Sequence, residues 1–196
     1  MQPLSVKSSD KSFQQKAEEQ ETKRRQENAK KAKEAADQLF PNEKWEKLED
    51  GIYKAGKKRS LDEMNDARIL RNLGSTIYLV PENTRAIGRK YDAIVNGLQF
   101  EFKNIGGNQN TLIEHFLKSR SQAQNVFINL ETSNLTRREV LGALYNARNR
   151  VTHTNNKGIV IKGYAERNKF SGGRIILKVK DRERLIYLNV DDLKAR

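Results

Sequence analysis

The chain has 196 residues, with 38 Lys or Arg against 25 Asp or Glu, a net charge of +13 and no cysteine. A surplus of that size favours polyanionic partners, either nucleic acid or an anionic surface, and the lack of cysteine excludes disulfide frameworks, thiolate metal sites and cysteine nucleophiles. No run reaches membrane-spanning length, and the opening residues lack the apolar core of a signal peptide. The expectation is a protein without a membrane partner whose site of action is cytoplasmic, reached by synthesis there or by delivery into a target cell.

Two unequal parts are expected, a charged arm and linker over 1–60 and a folded domain over 61–196. From Lys11 to Asp37 the chain is Lys, Glu, Gln and Ala without Gly or Pro, which favours helix. Only Phe13 and alanines offer an apolar stripe, so the arm reads as a solvated helix or a partly disordered segment. Trp45, Leu48, Ile52 and Tyr53 have helical spacing in a short stretch expected to dock on the following domain, and Gly56 to Arg59 reads as an exposed basic linker. Ser60-Leu-Asp-Glu63 is a capping box that opens a helix ending at Gly74. Thr76 to Val80 reads as a strand stopped by Pro81, and Tyr91 to Val95 and Leu98 to Lys103 as strands joined by Asn96-Gly97. After Gly106-Gly107 a helix is expected from about Asn110 to Gln122, burying Leu112, Ile113, Phe116 and Leu117. Asn125 to Leu130 is an apolar run suited to a sheet centre, and a helix follows from about Thr136 to Asn149. Gly158 to Gly163, Arg174 to Lys180 and Arg184 to Asn189 read as closing strands. The order predicts an α/β domain with a mixed sheet flanked by helices.

Asn-Gly between apolar-rich strands predicts a two-residue type I′ loop, and that loop sets a register. Val95 then faces Leu98, Ile94 faces Gln99, Ala93 faces Phe100 and Asp92 faces Glu101. Alternation puts Tyr91, Ala93, Val95, Leu98, Phe100 and Phe102 on one apolar face, with Asp92, Ile94, Gln99, Glu101 and Lys103 on the other. Two opposed carboxylates about 5 Å apart at their β-carbons repel. A divalent cation offsets that repulsion economically, since magnesium is commonly held by one or two carboxylates plus water and substrate phosphate. Lys103 projects from the same face, where an ammonium can orient water or neutralise charge developing on phosphorus. Acid-x-Lys also occurs at Glu21 to Lys23 and Asp192 to Lys194, but only the hairpin adds a partnering acid. A solvated face with a Glu–Lys ion pair is the plainer alternative.

At these residues the sequence resembles the PD-(D/E)XK nuclease superfamily, and within it the C-terminal tRNase toxin domains of CdiA-type contact-dependent growth-inhibition proteins. The resemblance spans about 61–165 and rests on Glu63-x3-Ala67-x2-Leu70-x2-Leu73-Gly74, Ile77-Tyr-Leu-Val-Pro81, Tyr91-Asp-Ala-Ile-Val-Asn-Gly97, Phe100-Glu-Phe-Lys103 and Ser121-Gln-Ala-Gln-Asn-Val126. Tyr91 stands where that family often has proline. The resemblance implies a restriction-endonuclease-like mixed sheet. It also implies Asp92 and Glu101 as magnesium or manganese ligands, with the backbone carbonyl of Phe102 completing the set. Lys103 would position water, and Glu63 would act as a further ligand or water-binding acid. Glu63 is equally explained as the third residue of the capping box, and Gln122 either orients water or substrate or simply ends a helix.

Arg137, Arg138, Arg148, Arg150 and His153 form a candidate phosphate-contacting set, with Arg167, Lys169 and Arg174 near them in sequence and Tyr164 and Phe170 as candidate stacking platforms. His115 shares a helix face with Lys118 and Gln122. The leading expectation is a magnesium-dependent endonuclease, a tRNA-cleaving toxin domain with an acidic immunity protein as partner. A DNA endonuclease of the same superfamily, a non-catalytic nucleic-acid-binding or virion-associated protein, and a metal-independent RNase using His153 are the rivals.

Overall fold

The computed structural model describes residues 8–56, 60–81, 91–120, 122–149, 152–154, 160–162, 172–180 and 182–193, with only the backbone at 8–12, 149, 152–154 and 160–162. It is an α/β structure. Helix α1 (Ser8–Leu39) leads to strands β1 (Glu46–Glu49) and β2 (Ile52–Lys54), then α2 (Leu61–Asn72), β3 (Ile77–Leu79), β4 (Ala93–Val95) and β5 (Leu98–Asn104). After these come α3 (Gln109–Arg120), β6 (Asn125–Leu130), α4 (Arg137–Asn149), β7 (Thr152–Thr154), β8 (Val160–Lys162), β9 (Arg174–Val179) and β10 (Ile186–Asn189). Eight strands form one mixed sheet in the order β1-β2-β3-β4-β5-β6-β9-β10, parallel at β2–β3, β5–β6 and β6–β9 and antiparallel elsewhere. No helix among the described residues is long and apolar enough to cross a membrane.

Side-chain alternation divides the core between the two faces of this sheet. Ala67 and Leu70 of α2 pack on Ile77, Leu79, Ala93, Val95 and Phe100. On the opposite face α3 and α4 cover β6 and β9 through Leu112, Phe116, Val140 and Leu144. Asn125 to Leu130 is buried at every position, as a central strand covered on both sides must be.

Several expectations are corrected. Residues 8–39 form one continuous helix, and its last turns are not solvated: Ala32 and Ala36 are fully buried with Phe40 against Tyr78, Val80 and Ile94. The hairpin face that carries Ile94 is therefore core. Trp45 to Tyr53 forms no helix, because Gly51 takes φ +74° and turns the chain between β1 and β2. Pairing of β2 with β3 brings residues expected in the arm into the main sheet. Trp45 meets the Tyr78 ring edge-on at 5.0 Å, and Tyr53 stacks on that ring at 4.6 Å. β8 pairs with β7, which the sequence did not suggest, in a separate two-stranded ribbon. The expected basic linker falls partly, at 57–59, outside the described residues, as do Arg150, Tyr164, Arg167, Lys169 and Phe170.

Candidate metal and phosphodiester site on the hairpin

Asn96 and Gly97 both take positive φ, +50° and +86°, as a type I′ loop requires. The ladder then runs Val95 to Leu98, Ile94 to Gln99 and Ala93 to Phe100, matching the expected register that far. At Asp92 the regular pairing stops. Its N–H donates to the Phe100 carbonyl (3.0 Å) while its own carbonyl accepts from Val80 N–H (2.9 Å), so the two groups point to opposite neighbours. Such an irregularity behaves as a bulge and re-aims side chains. Tyr91 accordingly packs with Ile94 and Val80 under α1 rather than beside Ala93, correcting its expected face. The Asp92 carboxylate is swung to the end of the ladder, where Oδ2 accepts from Phe102 N–H at 2.8 Å.

This arrangement unites three predicted residues. Glu101 is 1% exposed, and its Oε1 accepts from the Lys103 ammonium. Its Oε2 is buried with no hydrogen-bond partner, a costly state for a carboxylate oxygen. Burial, and then the neighbouring Asp92, push the Glu101 carboxyl up to about 7 in spite of Lys103. Burial also raises Asp92, opposed by the Phe102 N–H and the Lys103 charge. The two carboxyls lie close enough for the charge of Asp92 to help raise Glu101. Because the N–H and C=O of a strand residue point to the same neighbour, the Phe102 carbonyl also faces the Asp92 side.

Among the described residues no three His, Cys, Asp or Glu side chains form a metal-binding group. The donors that are present, two carboxylates and a backbone carbonyl, are hard oxygens of the kind magnesium takes while keeping waters. The unpartnered Glu101 Oε2 is the atom that a cation would satisfy. The residues fit a divalent ion.

Glu63 is placed beside this centre, near enough to raise Asp92 by its charge. Its carboxylate nevertheless closes the capping box, accepting from Ser60 N–H at 3.1 Å while Glu63 N–H donates to Ser60 Oγ at 3.2 Å. Gln122, just beyond α3, has a buried Oε1 with no partner, and no hydrogen bond among the described residues joins it to the hairpin. His115 of α3 lies near Lys103, and its pKa is lowered by burial and then by the Lys103 and Lys118 charges. Arg137 and Arg138 are exposed at the start of α4. Arg148 is held instead by Asp191, donating to its carbonyl at 3.0 Å. The backbone of His153 lies in β7.

Sequence reasoning passed over Asp66. It is fully buried and takes a hydrogen bond from Asn104 Nδ2 and another from Asn129 Nδ2, both at 2.8 Å. Burial raises its carboxyl to about 7 against those two donors. Asn104 and Asn129 are register partners at the ends of β5 and β6, so Asp66 ties α2 to the strand that carries Glu101 and Lys103. The available signal was spacing, since Asp66 lies three residues after Glu63 on one helix face.

No known protein family matches this chain, and no curated protein does. Among solved structures it is similar to a CdiA-CT/CdiI toxin and immunity complex from Burkholderia pseudomallei, at 18% identity and a TM-score of 0.45, over 69% of this chain and 97% of that one.

Proposed function

We propose that the protein is a divalent-metal-dependent nuclease of the PD-(D/E)XK type that hydrolyses phosphodiester bonds, with tRNA as its substrate and a toxin as its role. The observation that carries this reading is the meeting of Asp92, the half-satisfied Glu101 carboxylate and Lys103 at one end of the hairpin. Asp92, Glu101 and the Phe102 carbonyl would hold magnesium or manganese, which when bound supplies positive charge to a phosphate and acidity to water.

The protein's own groups account for the rest. Phe102 N–H fixes the Asp92 carboxylate, and burial of Glu101 keeps that site poor in water. Lys103, 18% exposed at its side chain, is the cation at the mouth of the site and can neutralise charge developing on phosphate oxygens. Hydrolysis adds water across one P–O bond and leaves a phosphate end and a hydroxyl end. The tRNA and toxin parts of the proposal rest on the sequence motifs from Glu63 to Val126 and on the net charge of +13. The same charge suits an acidic immunity protein as partner.

Incubating the purified chain with total tRNA and with plasmid DNA, each with magnesium and with chelator, tests the proposal. Magnesium-dependent loss of tRNA with plasmid intact is expected. Plasmid cleavage alone would move the substrate to DNA, and cleavage that persists in chelator would remove the metal.

A further inference from the structure

Five large hydrophobic side chains are exposed among the described residues: Phe13, Leu61, Leu73, Leu98 and Tyr187. Three of these, Leu73, Leu98 and Tyr187, line one groove of about 470 Å³, within the ~300–1,000 Å³ typical of ligand pockets. It lies beside the end of α2, with the buried side chains of Phe100 and Ile176 at its base. The Asn96-Gly97 loop is at one margin, at the opposite end of the hairpin from Asp92 and Glu101.

The charged residues lining the groove are Arg24, Lys31 and Arg174, and no acidic residue joins them. Arg24 and Lys31 are paired with Glu21 and Glu27 along α1 in exposed contacts of little worth, which a phosphate can displace. Arg174 has no carboxylate partner among the described residues. Tyr187 is 63% exposed. It is the register partner of Ile176, two residues from Arg174 on the same face of β9, so ring and guanidinium stand diagonally across adjacent strands. Arg24 lines the same groove from α1.

A large exposed ring beside an apolar floor, with Arg24, Lys31 and Arg174 as the charged lining, suits a ligand that is flat and apolar in one part and anionic in the next. We propose that this groove binds single-stranded nucleic acid, with a base stacked on Tyr187 and flanking phosphates on Arg174, Arg24 and Lys31. Aromatic platforms in basic grooves hold single strands in this way with little sequence preference, whereas duplex hides its base faces. As a subsite for the substrate strand the groove rests on the nuclease reading; as a binding site it stands on its own chemistry.

The test measures binding of a fluorescent oligouridine of about 12 nucleotides, a length within known site sizes, to the full chain in chelator. Tyr187→Ala should weaken binding at least about fivefold. Arg174→Ala should weaken it too and lower the salt slope by about 0.7. Both side chains are exposed, so neither change threatens the fold. In magnesium the same variants should raise KM for RNA with kcat little changed. Binding that depends on Tyr187 in a chain that cleaves nothing would leave the groove standing and remove the nuclease. Magnesium-dependent cleavage with binding unmoved by either variant would overturn the groove alone. Displacement by polyglutamate as effective as by RNA, with Tyr187→Ala silent, would also overturn it and mark a surface for an acidic protein.

Discussion

Replacing Asp66 by asparagine should stabilise the protein above neutral pH, and the structure gives the size of the effect. The Asp66 carboxyl is fully buried, with a folded pKa of about 7 against an ordinary 3.8. The folded state therefore holds a proton that the unfolded chain releases between those values, and stability must fall as pH rises from about 4 to about 7, then level off. Three units at ~1.36 kcal/mol each set an upper bound of about 4 kcal/mol, and relaxation around the carboxyl brings the expectation to ~2–4 kcal/mol. Asparagine removes this loss and keeps the hydrogen bonds. Asn129 is oriented by accepting Glu131 N–H at 3.1 Å, so it still donates to the oxygen at position 66, and the Asn104 amide needs only to turn over. Urea unfolding at pH 5 and pH 8 measures it. The wild type should weaken toward pH 8, with Asp92 and Glu101 adding in the same sense, and the variant should weaken less and exceed the wild type at pH 8. A variant less stable than wild type at pH 8, with the pH slope unchanged, would refute the reasoning.

Lys103→Ala should cut magnesium-dependent cleavage by ~10²–10⁴ while circular dichroism stays native, as expected for a group that stabilises charge at a reacting phosphate. Ala36→Leu should cost ~1–3 kcal/mol by overpacking, measured by urea unfolding, because Ala36 is fully buried against the sheet; a solvated arm would show no change, since the two residues have similar helix propensity. Gly97→Ala should cost ~1–2 kcal/mol from its left-handed backbone, and more because the new Cβ would sit 3.1 Å from the Lys31 carbonyl of α1. A melting temperature equal to wild type would contradict that contact.

The parts of the fold that were legible are those where local chemistry and tertiary structure agree. Ser60 and Glu63 cap α2 as expected, and Asn96-Gly97 closes the hairpin with both φ values positive. The errors come from places where context decides. Trp45, Leu48, Ile52 and Tyr53 fit a helical period by coincidence, while Asp50-Gly51 supplies the turn that decides for a hairpin. An alanine stripe buries too little area to predict docking by itself, so the arm reads as solvated although Ala32 and Ala36 dock it. One irregular residue, Asp92, shifts Tyr91 to the other face, and period-two alternation carries no warning of a bulge. The meeting of Asp92, Glu101 and Lys103 was legible because it depends on a short loop and few residues. Asp66 was not, because an acid in a charged helix looks exposed until the strands that meet it are known.

In the proposed nuclease Asp92 and Glu101 share a divalent cation. Manganese binding, followed by electron paramagnetic resonance on the wild type and on Glu101→Gln, tests it most directly, because glutamine keeps the shape and removes the charge. The wild type should take up one manganese ion and Glu101→Gln should lose it while remaining folded. Equal uptake by both, or none by the wild type, would contradict the claim.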